Sequence, residues 1–183
     1  MQKTANASTS DSSPLPDDPE IRALIQRYQL KKHPEGGWYR KLYKCQDTVL
    51  PQSPALERYP PPTCHAAGTS ILFLVTAGDH SAWHRLLSDE TWYFHRGDAL
   101  TLRTIRPTGD LQEVVLSGDP AEGDLQYTVR ALQPLSAETR GRYTLVGCGQ
   151  CPGFEYRDWQ LLTREEFLRE HPGLSHLAYL CSQ

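Results

Sequence analysis

The chain lacks most of the features that announce a partner. No stretch approaches the ~20 apolar residues of a membrane span, and the amino terminus has no apolar signal-peptide core. These absences point to a soluble, cytoplasmic protein. Neither sign of charge dominates: 19 Lys and Arg against 22 Asp and Glu leave a net of -3, with no basic stripe, which excludes nucleic acid and anionic membrane as partners. The five cysteines are an odd number, and Cys148-Gly-Gln-Cys151 has no second pair to complete a zinc site, so free thiols are expected. Histidine is absent from Arg96 through Glu170, which matters below.

What is present suits one compact domain. At 183 residues and 38% hydrophobic content the chain can bury a real core. Residues 1–17 are Ser, Thr, Asp and Pro with little to bury and read as a disordered tail. The single domain then runs from 18 to 183. Asp18 caps a helix with Pro19 at its first position, and Ile21, Leu24, Ile25 and Tyr28 recur at helical spacing. That helix ends before His33-Pro34, because a residue preceding proline avoids the helical region. Gly36-Gly37 permits a sharp entry into a strand over 38–44. Residues 45–67, with Pro51, Pro54, Pro60, Pro61 and Pro62, form a loop insertion without strands. Short apolar or alternating runs follow at 69–76, 81–86, 90–95, 99–105, 111–116, 125–132, 142–149 and 154–162. A last helix is marked by the Thr163/Glu166 capping box, the Leu162/Phe167 staple and the stop at His171-Pro172-Gly173. The fold class is all-β with a helix at each end.

The richest segment runs from Gly78 to Asp98. Side chains two apart on a strand share a face, so Ala82, His84 and Leu86 form one row while Trp83 and Arg85 look the other way. If 87–89 turn a hairpin, His84 lies opposite Trp92, and Glu90 becomes its diagonal neighbour roughly 7–8 Å away. Their tips can then converge on one small ligand. A buried imidazole and carboxylate satisfied inside a sheet is the plainer alternative.

The pattern Gly78, five residues, His84, one residue, Leu86, three residues, Glu90, six residues, Gly97 resembles the first motif of the cupin superfamily, in which a second histidine stands where this chain has Leu86. His33-Pro-Glu-Gly-Gly-Trp-Tyr-Arg40, Ser81-Ala-Trp-His-Arg-Leu86, Asp89-Glu90, Thr144-Leu-Val-Gly-Cys148 and Pro152-Gly-Phe154 are similar to a branch of cupins of unknown function. The resemblance implies a double-stranded β-helix, a jelly-roll barrel. It also implies a homodimer paired through amino-terminal strands. The run Pro134 to Tyr143 departs from the branch and puts part of the pocket wall in doubt.

Metal-dependent cupins gather three histidines and a glutamate. Here only His84 and Glu90 remain, fewer than the three protein ligands of a catalytic zinc or non-haem iron site. No cofactor is therefore expected, with His80 or His65 as the residues that could complete a divalent-metal site. Without metal, His84 serves as general base and Glu90 as its partner, by analogy with dTDP-sugar epimerases that use a histidine base and a tyrosine acid. Tyr39, Tyr93 and Tyr143 are candidate acids. Trp38 and Trp92 could stack on a sugar, and Arg40 could hold an anionic group. Arg85 reads as an outer-face salt bridge and Trp83 as core. The expected function is a small-molecule-binding cupin, a metal-independent isomerase, epimerase or lyase of a carbohydrate-like metabolite. The alternatives are a non-catalytic sensor or carrier and a metal-dependent oxygenase.

Overall fold

A computed structural model describes residues 15–52, 58–59 and 63–182. Most of the expected disordered tail, and Pro54 and Pro60 to Pro62 of the proline-rich segment, lie outside the described residues. Helix α1 (Pro19–Tyr28) starts as the sequence predicts, with the Asp18 side chain accepting from the Glu20 and Ile21 amides. Strands β1 (Lys31–Lys32), β2 (Trp38–Lys44), β5 (Thr69–Thr76), β7 (Asp89–Gly97), β10 (Gln126–Val129) and β12 (Tyr143–Cys151) form one sheet in the order β1-β2-β5-β12-β7-β10. The second sheet has the order β13-β6-β11-β8-β9, from β6 (Ser81–Leu86), β8 (Leu100–Ile105), β9 (Leu111–Leu116), β11 (Leu135–Thr139) and β13 (Trp159–Leu161). The two sheets face each other as a jelly roll, and helix α2 (Arg164–Glu170) with the 3-10 segment Pro172–Leu180 closes the chain. Among the described residues no helix is long and apolar enough to cross a membrane.

Alternation along the strands sorts the apolar residues into three clusters. Phe73, Val75, Trp92, Val146 and Cys148 of the first sheet meet Leu86, Leu100, Leu102, Leu116 and Leu135 of the second, and this is the barrel interior. The intervening positions Trp38, Leu72, Leu74, Tyr143 and Leu145 turn outward and are covered by Ile21 and Ile25 of α1. On the opposite outer face Trp83 stacks on Phe167, with ring centroids 5.1 Å apart, beneath α2 and the terminal 3-10 segment. The capping box at Thr163 and Glu166 is formed, and both staple residues, Leu162 and Phe167, are fully buried.

Three sequence expectations are corrected. β6 and β7 do not form a hairpin: β6 pairs with β11 and β13, and β7 with β12 and β10, so both edges of each strand are taken by other partners. The Leu87-Ser88 link instead carries the chain from one sheet to the other. Residues 135–139, left out of the expected series of strands, are the strand β11 between β6 and β8, with Leu135 and Ala137 in the interior. Ser136 and Glu138 on its other face gave an apolar run too short to stand out. The proline-rich segment does contain strands, β3 (Thr48–Val49) and β4 (His65–Ala66), a two-stranded ladder that needs only two residues from each side.

Candidate functional site

Because His84 and Glu90 stand on opposite sheets, they face each other across the barrel. They line one hollow together with His33, Glu35, Tyr39, Lys41, Ile71, Leu86, Cys148, Gln150, Phe154, Tyr156 and Trp159. It offers about 60 Å³ to the centres of water molecules, room for about four to six waters. Tyr156, half exposed, stands at its mouth with its hydroxyl 3.1 Å from that of Tyr39.

The backbone around His33 explains how the amino-terminal block enters the barrel. The Gly36 amide closes a turn onto the His33 carbonyl at 3.0 Å, with Gly36 at φ +100° and Gly37 at φ +68°. A Cβ at Gly36 would stand 2.0 Å from the His80 carbonyl oxygen, so only glycine lets the turn lie this close to the segment leading into β6. Asp79 holds the turn, accepting from the Gly37 amide at 2.9 Å and the Lys32 ammonium at 2.8 Å. The Glu35 carbonyl then accepts from the Ala82 amide at 2.8 Å, which joins the turn to the start of β6.

The result is a buried set of two imidazoles and two carboxylates. Glu35 Oε2 lies 3.5 Å from Nδ1 of both His33 and His84. Its two oxygens accept from the Ser81 hydroxyl at 2.8 Å and the Trp159 indole at 3.2 Å. Glu90 accepts from the Trp92 indole and from the Gln150 amide, each at 2.8 Å. The Ala82 carbonyl, which can only accept, lies 2.7 Å from His84 Nδ1. That bond places the ring proton on Nδ1 and leaves an Nε2 lone pair without a partner among the described residues. On His33 the nearest main-chain donor, the Glu35 amide, meets Nδ1 at 3.4 Å, so Nε2 is the protonated nitrogen of the neutral ring.

Burial governs the electrostatics. It holds the His33 and His84 pKa below the usual imidazole value, against the pull of Glu35 and Glu90 respectively. It pushes the Glu35 and Glu90 carboxyls up, opposed by the same histidines. The Cys148 thiol is raised well above its ordinary value by burial and then by both carboxylates, so it is an inert wall of the hollow. Burial and the Tyr39 hydroxyl raise Tyr156 and keep it protonated.

Of the residues singled out from sequence, the structure brings His84, Glu90 and Tyr39 to the hollow. Trp92 stands behind it and holds Glu90 through its indole. Trp38, Arg40 and Tyr143 are elsewhere. Trp38 packs under α1, Arg40 donates to the Tyr28 carbonyl, and the Tyr143 hydroxyl donates to Glu20 and accepts from Arg96. All three belong to the outward parity of the first sheet. Tyr93 is exposed, and neither His80 nor His65 lines the hollow. Arg85 pairs with Glu170 outside, and all five cysteines are free. The residues missed are His33, Glu35, Gln150, Tyr156 and Trp159. For the first two a signal was present: titratable side chains directly before a Gly-Gly turn are carried wherever the turn goes.

Comparison with known proteins agrees with this architecture. A family model described as the cupin superfamily (DUF985) matches residues 22–162. A protein from Shewanella oneidensis is 31% identical, with 87% of this chain and 95% of that one covered and a TM-score of 0.76. A hypothetical protein from Leishmania major is 30% identical over 86% of this chain and 96% of its own, with a TM-score of 0.75. Oxalate decarboxylase from Bacillus subtilis, 14% identical over 80% of this chain and 36% of its own with a TM-score of 0.51, shares the fold alone. No curated protein matches the chain. Among the described residues, no three imidazole, carboxylate or thiol ligand atoms of the hollow lie within 4.8 Å of one another. Leu86 adds an apolar side chain to the lining of the hollow.

Proposed function

The chain belongs to the DUF985 family of the cupin superfamily, and from that premise we propose that it binds a small carbohydrate-like metabolite and moves a proton on it, as an isomerase or epimerase working without metal. The observation that carries this reading is His84, buried, with its tautomer set by the Ala82 carbonyl and its Nε2 lone pair open. A neutral imidazole of this kind is a general base at neutral pH. It would take the proton next to a substrate carbonyl and become an imidazolium, which Glu90 across the hollow stabilises. The electrons left behind pass to the carbonyl oxygen as an enolate. The Tyr39 and Tyr156 hydroxyls near the mouth would donate to that oxygen; return of the proton from the imidazolium to the neighbouring carbon completes an isomerisation, and delivery of a tyrosine proton to the opposite face completes an epimerisation, the tyrosine then regaining its proton from water.

Size and charge support a compact ligand. Displacing the waters of the hollow gives on the order of 150 Å³ at ~30 Å³ each, about a monosaccharide or a small sugar acid. Among the described residues Lys41, at the rim, is the one lysine lining it and no arginine faces in, so a diphosphate would stay outside. Carboxylate and amide acceptors beside Trp159 and Tyr156 suit hydroxyl groups on one side and a sugar face on the other.

The test is proton exchange. Incubated in D2O with a panel of small aldoses, ketoses and hydroxy acids, the protein should replace one carbon-bound hydrogen with deuterium in at least one compound, read by proton NMR. His84→Ala should abolish exchange while ligand-induced thermal shifts remain within a few-fold. Thermal shifts with no exchange anywhere would identify a carrier or sensor. The reading also has the protein pair as a homodimer through the exposed Leu42, Tyr43 and Val49 of β2 and β3, which sedimentation would reveal.

A further inference from the structure

Outside the hollow, a second group of ligand-type side chains is gathered where no role has been assigned. His65 on β4, Glu155, and Asp158 in the 3-10 turn Tyr156–Asp158 present ligand atoms that all lie within 4.8 Å of one another. His65 and Asp158 are buried and Glu155 is partly exposed. His65 Nδ1 lies 2.9 Å from the Thr63 carbonyl and donates to it, which turns Nε2 toward Asp158 Oδ2, 2.7 Å away. The other Asp158 oxygen, Oδ1, is enclosed and has no partner among the described residues, in a residue 7% exposed. A buried carboxylate oxygen in this condition is costly and asks for a donor or a cation.

We propose that His65, Glu155 and Asp158 form a site for a zinc-class divalent cation that ties β4 to the turn carrying Tyr156. One imidazole and two carboxylates are a borderline-hard donor set, and their two negative charges match the ion. The Nδ1 bond to Thr63 is the outer contact that fixes a ligating histidine with Nε2 forward. Asp158 ligates through the unpartnered Oδ1. Glu155, steadied by Arg157 at 2.9 Å, is the side open to solvent, and water completes the coordination. Glu155 and Asp158 flank Tyr156, so the ion would hold one wall of the hollow without reaching the reacting atoms.

The test is calorimetric titration of the full chain with zinc chloride after chelator treatment. One equivalent should bind, read from the stoichiometry of the heat. Asp158→Asn should weaken binding more than tenfold. Glu155→Gln, a partly exposed change that leaves the fold intact, should do the same, while His84→Ala should leave it unchanged. The proposal is overturned if the wild-type chain takes up no zinc below about 1 mM. It is equally overturned if both Asp158→Asn and Glu155→Gln retain wild-type affinity, which would assign the ion to exposed thiols, or if His84→Ala removes it.

Discussion

Replacing Glu35 by glutamine should change the stability of the protein in opposite senses at low and high pH. Glu35 accepts from the Ser81 hydroxyl and the Trp159 indole. Glutamine can keep both bonds, its amide oxygen taking the indole N–H and its amide N–H donating to a rotated Ser81 hydroxyl. Alanine keeps neither, and the buried Ser81 hydroxyl left without its partner costs about 1–3 kcal/mol, the part-buried Trp159 indole less. Burial raises the Glu35 pKa above its ordinary 4.5. The unfolded chain therefore releases this proton first, and from pH 4.5 upward the wild type loses stability until the pH passes the folded pKa. The loss is about 1.4 kcal/mol for each unit by which the two values differ. The histidines act in the same direction on the comparison. His33 and His84 sit below their ordinary 6.5, so both proteins weaken as the pH falls under that value. The glutamine variant weakens more, having lost the carboxylate that opposes the burial of His33. Urea unfolding at pH 5, 6.5 and 8 should thus show wild type ahead at pH 5 and the glutamine variant level or ahead at pH 8. A gap that is flat within about 0.3 kcal/mol, or one in which the wild type gains as the pH rises, would mean that the imidazoles hold Glu35 charged.

Other consequences can be checked by denaturation and binding. Gly36→Ala places a Cβ 2.0 Å from the His80 carbonyl oxygen at a φ of +100°; left-handed strain of about 1–2 kcal/mol adds to the clash, and denaturant midpoints should fall together with ligand binding, since His33 and Glu35 ride on this turn. Trp83→Ala removes a fully buried ring stacked on Phe167 and bonded to the Leu177 carbonyl; a loss of about 3–5 kcal/mol is expected, with the m-value little changed. Tyr143→Phe deletes a hydroxyl that serves Glu20 and Arg96 beneath α1; thermal shifts with any ligand of the hollow should match wild type, and a tenfold affinity change would place Tyr143 in the site after all.

The sequence made legible whatever depends on local periodicity. The parity of β6 assigned His84 and Leu86 to the interior and Trp83 and Arg85 to the outside, and all four are so placed. Both helix caps followed from short-range side-chain to backbone bonds that need no tertiary context. What failed were statements about strand pairing. A tight turn between two runs suggests a hairpin, but pairing is decided by which edges other strands occupy, and β10, β11, β12 and β13 come later in the chain. The aromatic candidates show the same limit. Trp38, Tyr39 and Arg40 are consecutive, yet only Tyr39 has the inward parity. Periodicity says that neighbours separate and leaves open which of them faces in, until the opposing sheet is known.

Strand β6 shows why three distant blocks share one hollow. Its Ala82 amide donates to the Glu35 carbonyl at 2.8 Å, its Trp83 carbonyl accepts from the Leu162 amide at 2.8 Å, and β13 pairs along it from Leu86 to His84. The amino-terminal turn and the segment bearing Tyr156 and Trp159 are thereby tied to the strand that carries His84. Side-chain bonds repeat the connection: Glu35 takes Ser81 of β6 and Trp159 of β13 at once. Glu90 is held from the other sheet by Trp92 and by Gln150, which in turn accepts from Ser88 in the link between the sheets. Glu35, His84 and Glu90 therefore each rest on a partner fixed by backbone pairing. A substitution that loosens β6, even on its outer face at Arg85, should displace both imidazoles together, whereas one on β7 should move Glu90 alone.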